Sequence, residues 1–322
     1  MPLPDPSILR AVLKPFEFFE PNKQDQLKSY QRFYQLDFPN TVHSIGKVLV
    51  APFEIAVQTW LPKKPRGTMF IFHGYYDHVG IFRHPIKFAL DQGYAVIAYD
   101  LPGHGMSTGE RAAIDDFERY QHVLEDMLAL ATPNMPKPWY AMAQSTGAAI
   151  LTDYFLTNRI QQKNSPFEKV FYFAPLVRPV HWNFNSMVHT VVSPFANFLH
   201  RKFAFNSNDP HFLSFLQEAD PLQPRRLSTQ WVGALKNWIP RIEAKSPVDI
   251  SPVIIQGQRD ETVDWRHNIS ILQEKFDHPP VLFLPEGRHQ LVNEEEQLRN
   301  RMFDFIASFL PKQQKRPLKR AS

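Results

Sequence analysis

Trp139-Tyr140-Ala141-Met142-Ala143-Gln144-Ser145-Thr146-Gly147-Ala148-Ala149-Ile150 is the stretch that decides how the rest of this chain is read. An apolar run of strand length meets a helix-compatible run, 147–160, with a single serine at the join. A strand-to-helix turn this tight points the Ser145 hydroxyl out at the carboxyl edge of a sheet. The small residues at 143 and 147 let strand and helix approach without a clash. Such a turn presents a nucleophilic oxygen.

A search for the literal G-x-S-x-G pattern selects a different serine, in Gly105-Met106-Ser107-Thr108-Gly109. Its setting argues against it. Ser107 lies seven residues beyond Asp100, where the apolar run 94–99 ends, so no strand feeds into it. The next helix begins only near Ala112, after a charged stretch. Ser107 is read as a turn residue and Ser145 as the nucleophile.

Around that junction, strand-like runs at 47–51, 54–61, 68–72, 94–99, 138–143, 170–173, 252–256 and 281–284 alternate with helical segments near 85–92, 113–130 and 294–309. Alternation of this kind predicts an α/β fold with a mostly parallel sheet covered on both faces. Residues 1–45 read as a Pro-punctuated helical extension, with a helix around 25–34. Ile8, Leu9, Val12, Leu13 and Phe16 fall at helical spacing there, for packing on the globule or, less simply, for a membrane interface. The interval 177–244 breaks the alternation. Its aromatics, Trp182, Phe184, Phe195, Phe198, Phe203, Phe205, Phe212, Phe215, Trp231 and Trp238, predict a few short helices. They would pack a small core and also form a lid over an apolar pocket above Ser145. Core segments are thus expected at 46–176 and 245–311.

Composition excludes several classes. With 322 residues and 43% apolar content the chain can bury a large interior, and it has no cysteine for disulfides, thiolate metal sites or a thiol nucleophile. No apolar run approaches the ~20 residues of a transmembrane helix, and Met1–Pro6 lacks signal-peptide character, so a cytoplasmic location is the default expectation. The net charge of +4 is local. Lys312, Lys315, Arg316, Lys319 and Arg320 supply five positive charges in the tail 312–322, which leaves the remainder near −1. That tail is read as a solvated end; the sharper reading is a weak tether to anionic lipid at a membrane surface. Nucleic-acid binding has no other support.

A serine hydroxyl needs a base to take its proton and a carboxylate to orient that base. Of the late histidines, His289 follows the last strand, across Pro285-Glu286-Gly287-Arg288. His278 precedes that strand and belongs to the opposite sheet edge, and His267 opens a helix. For the acid, Asp260 stands just beyond the strand 252–256, whereas Asp264 is placed to cap the following helix. The oxyanion formed on attack needs aimed donors. The backbone N–H of Thr146 is one, and the Tyr75 amide in His73-Gly74-Tyr75-Tyr76-Asp77-His78 is the other. His73 and His78 lack a third ligand at suitable spacing, so no metal and no cofactor is expected.

These patterns resemble the monoacylglycerol lipase and lysophospholipase group of α/β-hydrolases. The resemblance rests on His-Gly-x-x-x-His at 73–78, Asp100-Leu101-Pro102-Gly103-His104-Gly105-Met106-Ser107-Thr108-Gly109, the turn at 143–147, Gly257-x-x-Asp260 and His289. It covers most of 68–155 and 250–292, and departs at Ala143, where most members have glycine. It implies an eight-stranded α/β-hydrolase fold with a helical cap inserted after the sixth strand. The implied activity is a serine hydrolase that cleaves acyl esters, of the monoacylglycerol or lysophospholipid kind, through an acyl-enzyme on Ser145. An acyltransferase or thioesterase with the same triad is the enzymatic alternative, and a catalytically silent protein that binds a ligand through its cap is the other.

Overall fold

Residues 68–72, 95–99 and 253–257 are buried at every position, a pattern that only strands covered on both faces satisfy. In the computed structural model, which describes residues 5–201 and 203–312, all three are interior strands of one sheet. Its eight strands are β1 (Thr41–Val50), β2 (Phe53–Pro62), β3 (Thr68–Phe72), β4 (Ala95–Tyr99), β5 (Trp139–Gln144), β6 (Lys169–Phe173), β9 (Val253–Gly257) and β10 (Val281–Leu284). Two short strands, β7 (Phe198–His200) and β8 (Arg226–Ser228), pair separately. The sheet order is β1-β2-β4-β3-β5-β6-β9-β10, and every pairing from β4 to β10 is parallel. Parallel pairing puts the carboxyl ends of β3, β5, β9 and β10 along one edge, which is what gathers distant residues into a site.

Helices cover both faces. On one side α4 (Glu118–Ala131), α5 (Thr146–Thr157) and α9 (Trp265–Lys275) bury Val123, Ile150 and Leu272. On the other, α1 (Pro6–Ala11), α2 (Asp25–Phe33), α3 (Arg83–Asp91) and α10 (Glu296–Ala307) bury Leu9, Tyr30, Ile86 and Met302. Leu9 and Leu13 are buried, so this segment packs on the globule. α1 ends at Ala11, and Phe16 lies beyond it, its N–H donating to the Lys47 carbonyl.

Three boundaries differ from the sequence reading. β1 begins at Thr41, not 47, so the extension at 1–45 gives up its last residues to the sheet. The early half of β1 hides polar side chains: buried His43 bonds Gln31 and Gln58, so no apolar alternation marks it. α4 starts at Glu118 rather than 113, because Asp116 caps the Glu118 amide and the segment before it is tied into the 100–109 loop through Ala112 N–H to Gly103 O. Between β6 and β9 lie α6 (Trp182–Val192), α7 (Pro210–Ser214) and α8 (Thr229–Glu243), as short helices were expected, but β7 and β8 add an antiparallel ribbon to them.

Candidate active site

β5 runs into α5 through one residue, and that residue carries the strain. Ser145 adopts φ 49° and ψ −109°, a positive-φ conformation that an L-residue holds only when the surroundings force it. Its amide is fixed by the Phe173 carbonyl at 2.9 Å. At Gly147 an added Cβ would sit 2.6 Å from the Phe72 carbonyl oxygen, so the first turn of α5 can press against β3 only with glycine there. Ala143 stays in register with Phe72 and Tyr172 on either side, fully buried, so its methyl is accommodated within the strand.

From beyond the carboxyl ends of β9 and β10 come the partners. His289 Nε2 lies 3.0 Å from Ser145 Oγ, and His289 Nδ1 lies 2.8 Å from Asp260 Oδ2. Asp260 is itself held by three donors: the Thr262 and Val263 amides on Oδ1, and the Gln256 side chain on Oδ2. All three side chains are buried. Burial alone would discourage a charged imidazole, but the Asp260 carboxylate outweighs it and leaves the His289 pKa raised above the ordinary 6.5. The His289 loop is braced from several directions. Gln144 donates to the His289 carbonyl, the Gln290 amide donates to Asn206 O, and the Gln290 side chain donates to Asp77. Gly257 lets β9 pass under this loop, since a Cβ there would meet the Gly287 oxygen at 2.4 Å.

The loop after β3 completes the edge. Gly74 N–H bonds Asp77 Oδ2 and Asp77 N–H bonds Gly74 O, a closed turn with Tyr75 at its tip. The Tyr75 ring stacks on Trp231 at 3.8 Å between centroids, and its hydroxyl donates to Ala112 O. Neither the Tyr75 nor the Thr146 amide donates to a described residue, and both residues line the cavity above Ser145. His73 uses both ring nitrogens internally, on Gly74 O and the Leu101 amide, while His78 bonds Asp220. Ser107 Oγ accepts from Ala56 N–H and donates to Asp100 O, which fixes the 100–109 loop away from the cavity. His267 bonds Glu243, His278 sits at the surface, and Asp264 caps α9.

The cavity has a volume of about 350 Å³, at the lower end of ordinary ligand pockets. Its lining is largely apolar, with Trp182, Val188, Val192, Leu199, Trp231 and Leu235, and Tyr76, Arg201, Asn206 and Gln290 add polar groups to it. Of the ten aromatics expected to build a lid, only Trp182 and Trp231 reach this wall. Trp238 instead donates to buried Asp153, and Phe215 packs on Phe33 and Tyr34, while Phe184, Phe195 and Phe205 are exposed. Sequence reading missed Arg201, Asn206 and Gln290. Gln290 could have been flagged as the neighbour of His289; a lone Arg and Asn in an irregular stretch carry no such signal.

A mostly parallel eight-stranded sheet, helices on both faces and a serine on the β5–α5 turn define an α/β-hydrolase. Residues 63–296 match the family model described as serine aminopeptidase, S33, and the chain belongs to that family. It is 23% identical to the mouse monoglyceride lipase over 289 residues, 87% of this chain and 90% of that protein. With the human monoglyceride lipase it shares 22% identity, covering 89% of this chain and 94% of that one. Among solved structures, a soluble variant of the Saccharomyces cerevisiae monoglyceride lipase in complex with a substrate analogue superposes with a TM-score of 0.69 at 16% identity, over 81% and 92% of the two chains. The Paleococcus ferrophilus monoacylglycerol lipase gives 0.63 at 18%, over 76% and 96%. Fold, family and relatives together make this protein a carboxylic ester hydrolase.

Proposed function

We propose that Ser145 is the nucleophile of a hydrolase that cleaves single-chain acyl esters of glycerol, monoacylglycerols or lysophospholipids, with His289 as base and Asp260 orienting it. One observation carries the reading: the continuous hydrogen-bonded chain Ser145–His289–Asp260, whose serine and histidine line a largely apolar cavity. Ser145 Oγ attacks the acyl carbon as its proton moves to His289 Nε2. The oxyanion takes the Tyr75 and Thr146 amides, donors worth ~2.7–4 kcal/mol each in comparable sites. His289 then protonates the departing alcohol, and water repeats the sequence to free the acid. Each methylene on the apolar wall adds ~0.8 kcal/mol, which favours acyl chains over acetyl groups. Residues 177–244 serve as the lid. α6 turns Trp182, Val188 and Val192 to the cavity and Phe184, Met187 and Val191 outward, which suits a helix lying between the site and a lipid surface. The basic tail 312–322, read from sequence as a solvated end with a lipid tether as the sharper alternative, lies outside the described residues beyond Lys312.

Hydrolysis of p-nitrophenyl esters across chain lengths, with fluorophosphonate labelling, tests the assignment. Rates rise from acetyl to medium chains, Ser145→Ala loses turnover by several orders of magnitude together with labelling, and Ser107→Ala keeps most of it. Removing the Ser107 hydroxyl strands the buried Ala56 amide, so that variant loses ~1–3 kcal/mol of stability instead. Folded protein inert toward every chain length overturns the reading.

A further inference from the structure

The polar groups of the cavity lining have no part in the chemistry above, yet they include a cation. Arg201 is only 8% exposed, and a guanidinium stays charged at any ordinary pH. Burying one without an anion is costly. Its Nη1 donates to Gln223 Oε1 and to Pro224 O, both at 2.9 Å. Nε and Nη2 donate to no described residue, and no carboxylate among the described residues stands within ion-pair distance. The guanidinium lies 3.9 Å from the Tyr76 ring and 4.4 Å from the Phe203 ring, and Arg201 lines the cavity that holds Ser145 and His289. Burial lowers its pKa, and the nearby Tyr76 and Asp77 offset part of that without pairing with it. Beside it, Asn206 Oδ1 and Gln290 Oε1 are buried acceptors without a partner.

Position identifies which part of a substrate meets these groups. Gln290 follows His289, and its amide is held by Asn206 O at 2.7 Å, so this wall adjoins the imidazole. His289 must hand its proton to the departing alcohol, and the acyl chain has the apolar side chains of the same cavity. We infer that Arg201, Asn206 and Gln290 form a head-group subsite for a phosphate-bearing leaving alcohol. The preferred substrate is then a single-chain acyl ester of glycerol phosphate rather than of glycerol. A guanidinium presents paired N–H donors that match phosphate oxygens. A choline head group gains nothing at Tyr76, because Arg201 already covers the face that would receive a quaternary ammonium.

This inference rests on Ser145 being the nucleophile, and its test separates the two. The full chain is assayed with four substrates of one short acyl chain, below micelle formation. They are 1-acylglycerol, 1-acylglycerol 3-phosphate, 1-acylglycerophosphoglycerol and lysophosphatidylcholine. Wild type favours the phosphate monoester over 1-acylglycerol in kcat/KM by about tenfold or more, the scale of a charge-assisted hydrogen-bond pair. The phosphodiester arm shows whether a diester serves equally. Arg201→Gln reduces that preference about tenfold and Arg201→Lys restores part of it, whereas loss of a merely structural arginine lowers all rates in proportion. Glycerol 3-phosphate competitively inhibits wild-type hydrolysis of 1-acylglycerol, a readout that stands even if the variants melt early. A wild-type preference of one or less, proportional losses in Arg201→Gln, or no inhibition by glycerol 3-phosphate overturns the subsite. Hydrolysis of none of the four overturns the nucleophile assignment and this inference with it.

Discussion

At the residue scale the chemistry turns on one imidazole. In the proposed mechanism His289 must be neutral to accept the Ser145 proton; burial lowers its pKa, but the Asp260 carboxylate, aided by Asp77, leaves it above 6.5. The acid limb of kcat/KM on a neutral ester is therefore expected with its midpoint above pH 6.5, activity falling as pH drops through it. Asp260→Asn removes the carboxylate, so burial dominates and the limb moves to lower pH. The rate also falls by ~10⁴ through loss of the correct tautomer. A pH–rate profile of both proteins checks this; an unmoved limb would mean that Asp260 does not act on His289. The positions of Ser145, Asp260 and His289 were legible in the chain because parallel strands impose a rule: each functional group follows a strand end. Arg201 obeys no such rule. It lies beyond a three-residue strand, and its placement depends on Tyr76 and Gln223, each more than twenty residues away in the chain.

At the element scale, the buried carboxylate of Asp220 is one of the groups that fasten the inserted segment to the core. Asp220 accepts from the Tyr34 hydroxyl at the end of α2 at 2.6 Å, from His78 Nε2 at 2.8 Å, and from the Leu222 amide. His78 ends the loop that carries Tyr75, so the pair ties that loop to the lid. Burial opposes charge on both partners and each offsets it for the other, leaving the His78 pKa raised and that of Asp220 lowered. The signs set a window. Stability from His78 is full below its unfolded value of 6.5 and is lost as pH rises through the folded value. Stability from Asp220 is full above 3.8 and is lost as pH falls through its folded value. Asp220→Asn is expected to cost ~3–5 kcal/mol at pH 6, less at pH 9, and to lower the melting temperature accordingly. Thermal denaturation at both pH values checks it, and a penalty independent of pH would exclude a charged pair. None of this was readable from sequence. The ribbon β7–β8 was missed for a related reason, as three residues per strand are too few to show a period of two.

Across the whole molecule, the alternation of strands and helices was enough to give the sheet and its two covered faces, because long-range order here follows from local pattern. Which surface meets the substrate's source was not legible, since it depends on how α6 is rotated. Its outward face exposes Phe184, Met187 and Val191 at helical spacing, with Phe195 88% exposed just beyond its end, while its inward face lines the cavity. A helix apolar on both sides is stable in water only at a cost, and a lipid surface removes it. Among the described residues no helix is long and apolar enough to cross a membrane, so contact through this face would be peripheral. If α6 rests on the acyl region, substrate passes from bilayer to Ser145 by crossing one helix thickness. Replacing both Phe184 and Phe195 by Ser removes two aromatic side chains from that contact, each worth up to ~1.5–3 kcal/mol when fully buried. Flotation with phosphatidylglycerol–phosphatidylcholine vesicles should then show binding reduced tenfold or more. Hydrolysis of vesicle-borne monoacylglycerol should fall further than hydrolysis of a short p-nitrophenyl ester dissolved in water. Equal losses on the two substrates would show instead that these side chains support the lid's fold, and that the enzyme meets its lipid through another face.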